Sequence, residues 1–104
     1  MAQIKWTEPA LEDINEIAEY IALDKPSAAK RLVQNIFESV KRLKEFPDSG
    51  RVPIEISDSR YRELIVGPCR IFYRVDKDVV YVLYVMRSER MLRKFILDDR
   101  ANEN

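Results

Sequence analysis

Arginines crowd residues 60–97: Arg60, Arg62, Arg70, Arg74, Arg87, Arg90 and Arg93, with Lys94 beside the last. Several sit next to aromatic residues, as in Tyr61-Arg62 and Arg70-Ile71-Phe72-Tyr73-Arg74. A guanidinium offers a planar fork of N–H donors that matches phosphate or carboxylate, and it stacks on aromatic rings. Such a set suits an anionic partner, or the grip on a scissile phosphate. The blander alternative is a solvated sheet face whose Arg stems cover apolar surface. Proton transfer is less well supplied. There is no His, which removes His-ligated metal sites, Ser-His-Asp triads and Cys-His pairs. Glu63, Glu89 and Lys94 are the titrating groups near the arginines, and each reads first as an ion-pair partner or a solvated residue. No metal or cofactor is expected.

The chain that must position these groups has 104 residues, 46% of them hydrophobic and 35% charged. That length supports one domain, spanning 1–104, with a flexible tail expected from about residue 98. Such a domain buries roughly 65% of its unfolded surface, enough for one core. Lys plus Arg and Asp plus Glu both number 18, so the formal charge is zero. Zero hides a segregation. Residues 1–24 hold six acids against Lys5, a balance of −5; residues 60–97 hold nine basic residues against four acids, a balance of +5. Such a polarised molecule can bind an acidic partner with one side. The single Cys69 fits a reducing compartment. The N-terminus lacks the pattern of a signal peptide. The longest apolar run, Val79 to Met86, has eight residues against the ~20 needed to span a bilayer. A cytoplasmic protein without membrane contact is expected.

Gln3 to Trp6 alternates like a short strand. Thr7 then offers an N-cap, and Pro9 suits a first helical turn. Leu11, Ile14, Ile17, Ala18 and Ile21 follow at helical spacing; of Glu8, Glu12, Asp13, Glu16 and Glu19 in the same stretch, those nearest the start complement the helix dipole and the others solvate the outer face. Asp24 to Ser27 breaks that helix. Ala29, Leu32, Val33, Ile36, Phe37, Val40 and Leu43 mark a second one, which ends at Phe46-Pro47. The short connection predicts an antiparallel helix hairpin. Pro47 to Arg51 is a loop. From Arg60 the pattern becomes β: Arg60 to Val66, Arg70 to Val75 and Val79 to Arg87. The fold expected is α+β: a short N-terminal strand, then the helix hairpin packed on an antiparallel sheet of three or more strands.

Gly67-Pro68 suits a type II′ turn. As a two-residue turn it sets Val66 opposite Cys69, Leu64 opposite Ile71 and Arg62 opposite Tyr73. A turn at Lys77-Asp78 sets Arg74 opposite Tyr81, Tyr73 opposite Val82 and Ile71 opposite Tyr84. Strict alternation then puts Leu64, Val66, Ile71, Tyr73, Val75, Val80, Val82, Tyr84 and Met86 under the helices. The other face carries Tyr61, Glu63, Arg70, Phe72, Arg74, Tyr81, Leu83, Val85 and Arg87. Phe72, Tyr81, Leu83 and Val85 would form an exposed apolar patch, partly covered by Leu92 to Leu97 as a short strand.

The run from Tyr61 to Asp76, with its Tyr-Arg pair, Gly-Pro turn and Ile-Phe-Tyr-Arg strand, resembles the sheet signature of the RelE/ParE toxins. The Thr7-Glu8-Pro9-Ala10 start, the helix Asp13 to Ile21 and the loop Pro47-Asp48-Ser49-Gly50-Arg51 also match, so the resemblance runs from about residue 3 to 97. Cys69 departs from the usual aromatic after Gly-Pro. The resemblance implies the toxin of a type II toxin–antitoxin module, of the kind also called plasmid-stabilisation proteins. Its partner would be a cognate antitoxin, with contact to operator DNA only through the antitoxin complex.

Two branches of that superfamily differ in activity. RelE-like members cut ribosome-bound mRNA with basic residues and a Tyr or His near the C-terminus; here Arg62, Arg70, Arg87, Glu89 and Lys94 would have to serve. No His exists and no Tyr follows Tyr84. ParE-like members inhibit DNA gyrase and need a binding surface, for which Arg62, Arg70, Phe72, Arg74, Tyr81, Arg87 and Arg90 are the candidates. The ParE-like reading is therefore favoured. An mRNA endoribonuclease is the alternative, and a non-toxic antitoxin-binding member is the third.

Overall fold

Thr7 both ends a strand and begins a helix. The computed structural model describes residues 1–102, and in it β1 (Gln3–Trp6) runs straight into α1 (Glu8–Ala22). The Thr7 backbone is extended, and its Oγ1 accepts from the Ala10 amide at 3.4 Å. The same hydroxyl donates to the Val82 carbonyl at 2.7 Å, tying the cap to the sheet. Ala10 and Ile14 are buried on α1, while Glu8, Glu12, Glu16 and Glu19 face water. Pro26 opens α2 (Pro26–Lys41), since its missing N–H has no partner to lose in the first turn. Ala29, Leu32, Ile36 and Val40 form its inner stripe, and a 3₁₀ turn at Arg42–Lys44 adds Leu43. Phe37 stays half-exposed and leans on Trp6, ring centroids 4.7 Å apart.

The remaining elements are β2 (Tyr61–Val66), β3 (Cys69–Asp76), β4 (Val79–Arg87) and α3 (Lys94–Asn102). Strand order is β1-β4-β3-β2, with β1 parallel to β4 and the other pairs antiparallel. The expected α+β architecture is therefore present, and the N-terminal strand makes the sheet mixed. Gly67 has φ +52°; Pro68 after it excludes a second positive φ, which leaves type II′. The β2–β3 register is the expected one, from Val66–Cys69 to Arg62–Tyr73.

The β3–β4 register holds only as far as Tyr73–Val82. There a β-bulge intervenes: Phe72 pairs with Tyr84, and Leu83 has no partner across the ladder. Ile71 consequently faces Val85, not Tyr84. The extra residue inverts the rest of the strand. Val85 joins the hairpin-side core with Ile14, Ile36, Ile71 and Val82. Tyr84 and Met86 join the opposite core with Leu83 and Phe72. The strictly alternating face lists fail beyond Leu83 for this reason.

The second face is no exposed patch. α3 lies across it, and Phe72, Leu83 and Leu97 are fully buried. Residues 94–97 are helical and not a strand, and the tail expected to loosen near residue 98 continues as α3 to Asn102; residues 103–104 lie outside the described chain. Val85 is buried on the other side.

Gly50 shows how tightly the connecting loop is seated. Its amide donates to the Tyr73 hydroxyl at 2.9 Å, and that hydroxyl donates to Pro47 O at 2.8 Å. A Cβ on Gly50 would lie 2.5 Å from the Tyr73 hydroxyl oxygen and 2.7 Å from Glu63 O. Gly50→Ala should cost about 2 kcal/mol by overpacking, read from the midpoint of chemical denaturation; an unchanged midpoint would contradict this packing.

Candidate functional site

The arginines go to separate places. Arg70 is buried. Its Nε and Nη2 donate to Glu63 at 2.6 and 3.0 Å, and its Nη1 and Nη2 donate to Glu55 at 2.5 and 2.7 Å. Glu63, whose side chain is 0% exposed, also accepts from Arg51 Nε at 3.2 Å. Two carboxylates thus saturate the Arg70 fork, and the cluster pins the segment between Pro53 and Arg60 onto the sheet. Hydrogen bonds from Arg70 hold the Glu55 carboxyl down at about 2. Arg70, Phe72 and Glu63, expected on an open binding face, are therefore structural. Their sequence pattern could not reveal that Glu55 reaches back from an irregular segment.

Arg62 lies on the outer strand β2 and donates to Gly50 O at 2.8 Å and Asp48 O at 3.2 Å. Arg74 stacks on Tyr81, 4.6 Å from the ring centroid, and its Nη1 is 3.6 Å from Asp76. Lys94 bridges Asp58 and Asp98, at 3.3 and 3.0 Å. Both carboxylates raise its pKa, Asp98 more strongly, so it stays protonated and is no base. The Tyr61 hydroxyl donates to Asp98 at 2.6 Å; burial, then that carboxylate, pushes the phenol up to about 12.

The bulge carries Arg87 away from Arg70 and Arg74 to the helix side, where it lies over Tyr20 of α1, 5.4 Å from the ring centroid. Its Nε is 2.7 Å from Glu89 but lacks a hydrogen-bond partner, so the contact is an ion pair without N–H alignment. A cavity of about 410 Å³ lies here. Asp13, Glu16, Ile17 and Tyr20 of α1 form one wall; Tyr84 to Arg87, Glu89 and Arg90 form the other. Arg87, Arg90 and Glu89 are the expected candidates that this site brings together.

Asp13, on the α1 wall, is held in place by Arg100. Asp13 Oδ2 accepts from the Val85 amide at 3.0 Å and from Arg100 Nη1 at 2.6 Å. Arg100 also donates to Leu83 O at 2.9 Å and stacks on Tyr84 at 4.7 Å. These side chains satisfy the backbone groups that flank the bulge. Arg100 was not singled out in the sequence, and Asp13, read there among the solvated acids, is instead part-buried and paired. Asp13 did carry a signal, since it falls three residues after Ala10 and four before Ile17, on the border of the buried stripe. Among the described residues, no group of three His, Cys, Asp or Glu could hold a metal ion, and no helix is long and apolar enough to cross a membrane.

The buried cluster predicts acid sensitivity. The Glu55 pKa is lowered in the folded state, from 4.5 to about 2. Its stabilising contribution is complete above 4.5 and disappears as pH falls toward 2, and is worth at most about 3 kcal/mol. Glu55→Gln should flatten the stability–pH curve in that window. Arg70→Met should cost about 3–5 kcal/mol at pH 7, because Glu63 stays buried with Arg51 alone. Denaturant titrations at several pH values measure both; equal acid dependence in E55Q and the parent would refute the assignment.

Known proteins supply the context. Chain residues 4–92 match the family described as ParE toxin of type II toxin–antitoxin system, parDE. "Putative toxin Y4kP" of Sinorhizobium fredii is 41% identical over 85% of this chain and 90% of its own length. "Toxin RelE2" of Caulobacter vibrioides is 32% identical over 88% of this chain and 100% of its own. Among solved structures, a chain of the chromosomal ParDE TA system from P. aeruginosa superposes with a TM-score of 0.71 at 29% identity, covering 86% of this chain and 98% of that one. A chain of the YoeB dimer from Staphylococcus aureus shares the fold, with a TM-score of 0.56 at 17% identity over 86% of this chain and 98% of that one. With that match across its helix hairpin and whole sheet, the chain belongs to the ParE toxin family of type II toxin–antitoxin systems.

Proposed function

We propose that this toxin acts by inhibiting DNA gyrase and is neutralised by a cognate antitoxin. Family membership supports the module. The dispersal of the arginines carries the choice of target. Cleaving RNA at a 2′-hydroxyl needs cations converging on one phosphate, with a proton acceptor and donor beside them. Here Arg70 is saturated by Glu55 and Glu63, Arg62 is bonded to the loop around Gly50, Arg74 lies over Tyr81, and Arg87 sits in the α1–β4 cleft. Lys94 is held protonated by Asp98 and Asp58. A surface of separated Arg and Tyr groups suits contact with a protein instead. Arg62, Arg74, Tyr81, Arg87 and Arg90 are the members of the expected binding set that remain at least partly accessible.

The likeness to Toxin RelE2 keeps a second reading, ribosome-dependent mRNA cleavage. The two separate in a paired assay with purified toxin. Gyrase supercoiling should be inhibited, while ribosome-bound mRNA stays intact. Arg87→Ala should weaken the gyrase effect at least tenfold, the equivalent of about 1.4 kcal/mol. RNA cleavage that disappears in Arg62→Ala or Arg87→Ala would replace the gyrase reading with the nuclease one.

A further inference from the structure

We propose that the outer face of the helix hairpin is a self-association surface, on which a second copy of this chain packs with its α1 over α2 of the first. The hairpin turns Ala10, Ile14, Leu32, Ile36 and Val40 inward, into the core shared with the sheet. Its outward side is not the uniformly polar surface that solvated helices present. Ala18, Ala22, Ala29 and Val33 line a groove of about 500 Å³ between the two helices. Ala18 lies beside Val33 and Ala22 beside Ala29, so the helices run antiparallel along it. Larger apolar groups flank its two ends. Leu11 and Phe37 are 42% and 40% exposed at one, and Leu23, in the turn between the helices, is 86% exposed at the other.

Charge makes a second copy the matching occupant. The groove has Glu19 on its α1 rim and Lys30 on its α2 rim. The imbalance extends along both helices. α1 exposes Glu8, Glu12, Glu16 and Glu19 and contains no Lys or Arg; α2 exposes Lys30, Arg31 and Lys41 against Glu38. The face therefore complements itself, as a two-fold interface requires. A two-fold axis parallel to the helices sets each α1 antiparallel over the other copy's α2, so acid meets base twice. An axis across the helices would set α1 on α1 and oppose like charges, which disfavours it. In the first arrangement each residue keeps its level along the helix axis. Glu19 stands level with the Leu32–Val33 turn of α2, so it meets the second copy's α2 within one turn of Lys30. Leu23 comes level with Ala29, at the alanine-lined end of the second copy's groove. Two helices of 15 and 16 residues, packed side by side, offer roughly 500 Å² per copy, so the pair buries roughly 1,000 Å², the lower bound for a specific interface. The dimer is accordingly weak, with a Kd on the order of 10–100 μM.

The test is sedimentation equilibrium of the full chain, from well below to well above that concentration. The parent should pass from monomer to dimer. Lys30→Glu and Glu19→Lys, each of which opposes like charges across the two-fold axis, should each weaken association at least tenfold. The double variant Glu19→Lys/Lys30→Glu restores both pairs and should return to within threefold of the parent, a recovery that a merely structural role for either residue would not produce. Arg62→Ala, on the outer strand β2, should stay within twofold. Both reversed positions are exposed, and thermal melts of each variant verify folding. A chain that stays monomeric throughout overturns the proposal, whether or not some other protein covers the hairpin. A dimer indifferent to the single reversals, or one that the double variant fails to restore, places the contact elsewhere and overturns it too. Gyrase inhibition, assayed far below the dimer Kd, is read independently of either result.

Discussion

Leu83 has no partner across the β3–β4 ladder, and that unpaired residue sets the layout of the far half of the molecule. A bulge shifts side chains from one face to the other and leaves backbone groups without ladder partners. Buried groups in that state are costly, so the fold must answer them. It does so from both sides of the sheet. Asp13 comes from α1 to take Val85 N, and Arg100 comes from α3 to take Leu83 O and to bind Asp13. The hairpin layer, the strand and the C-terminal helix are thus joined at one point. Val85 then fills the hairpin core, Tyr84 and Met86 fill the α3 core, and Arg87 swings to Tyr20.

The second polar cluster works differently. Arg70, Glu55, Glu63 and Arg51 lie beneath an irregular segment that has no regular hydrogen-bond pattern of its own. Buried ion pairs contribute little net stability, yet breaking one is expensive because a desolvated charge remains. Such a cluster selects one conformation among many of similar energy. It holds residues 53–60 against β3, which fixes Arg60 and Asp58 beside Tyr61 and α3. Here charge serves conformational specificity, and its guanidinium is unavailable to a partner.

The sequence made the elements legible because local chemistry determined them. Thr7 before an apolar-periodic run is an N-cap wherever it falls, Pro26 must open a helix, and Gly67-Pro68 permits one hairpin turn. The β2–β3 register followed from that turn. The bulge was illegible for a physical reason. Val82-Leu83-Tyr84-Val85-Met86 is apolar throughout, so no polar residue marks which side faces which core. The residue that answers the freed amide, Asp13, lies 72 positions from it. Alternation was therefore correct up to Leu83 and wrong after it, and Arg87 moved to a different site. Of the candidate site, Arg87, Glu89 and Arg90 were visible as a basic strand end; Asp13, Tyr20 and Arg100, which shape it, were not.

Zero net charge also acquires a spatial meaning. The acidic first helix and the basic strands are not two separate faces offered to two partners. Part of their charge is spent internally, through Asp13 with Arg100 and the carboxylates around Arg70. Part of what stays accessible lies where α1 and β4 diverge. There the exposed Glu16 and the Arg87–Arg90 end lie on opposite walls of one cleft. A long-range field is weak for a molecule whose charges sum to zero, so what its exposed charges contribute to any contact falls off within a Debye length and depends on short-range geometry.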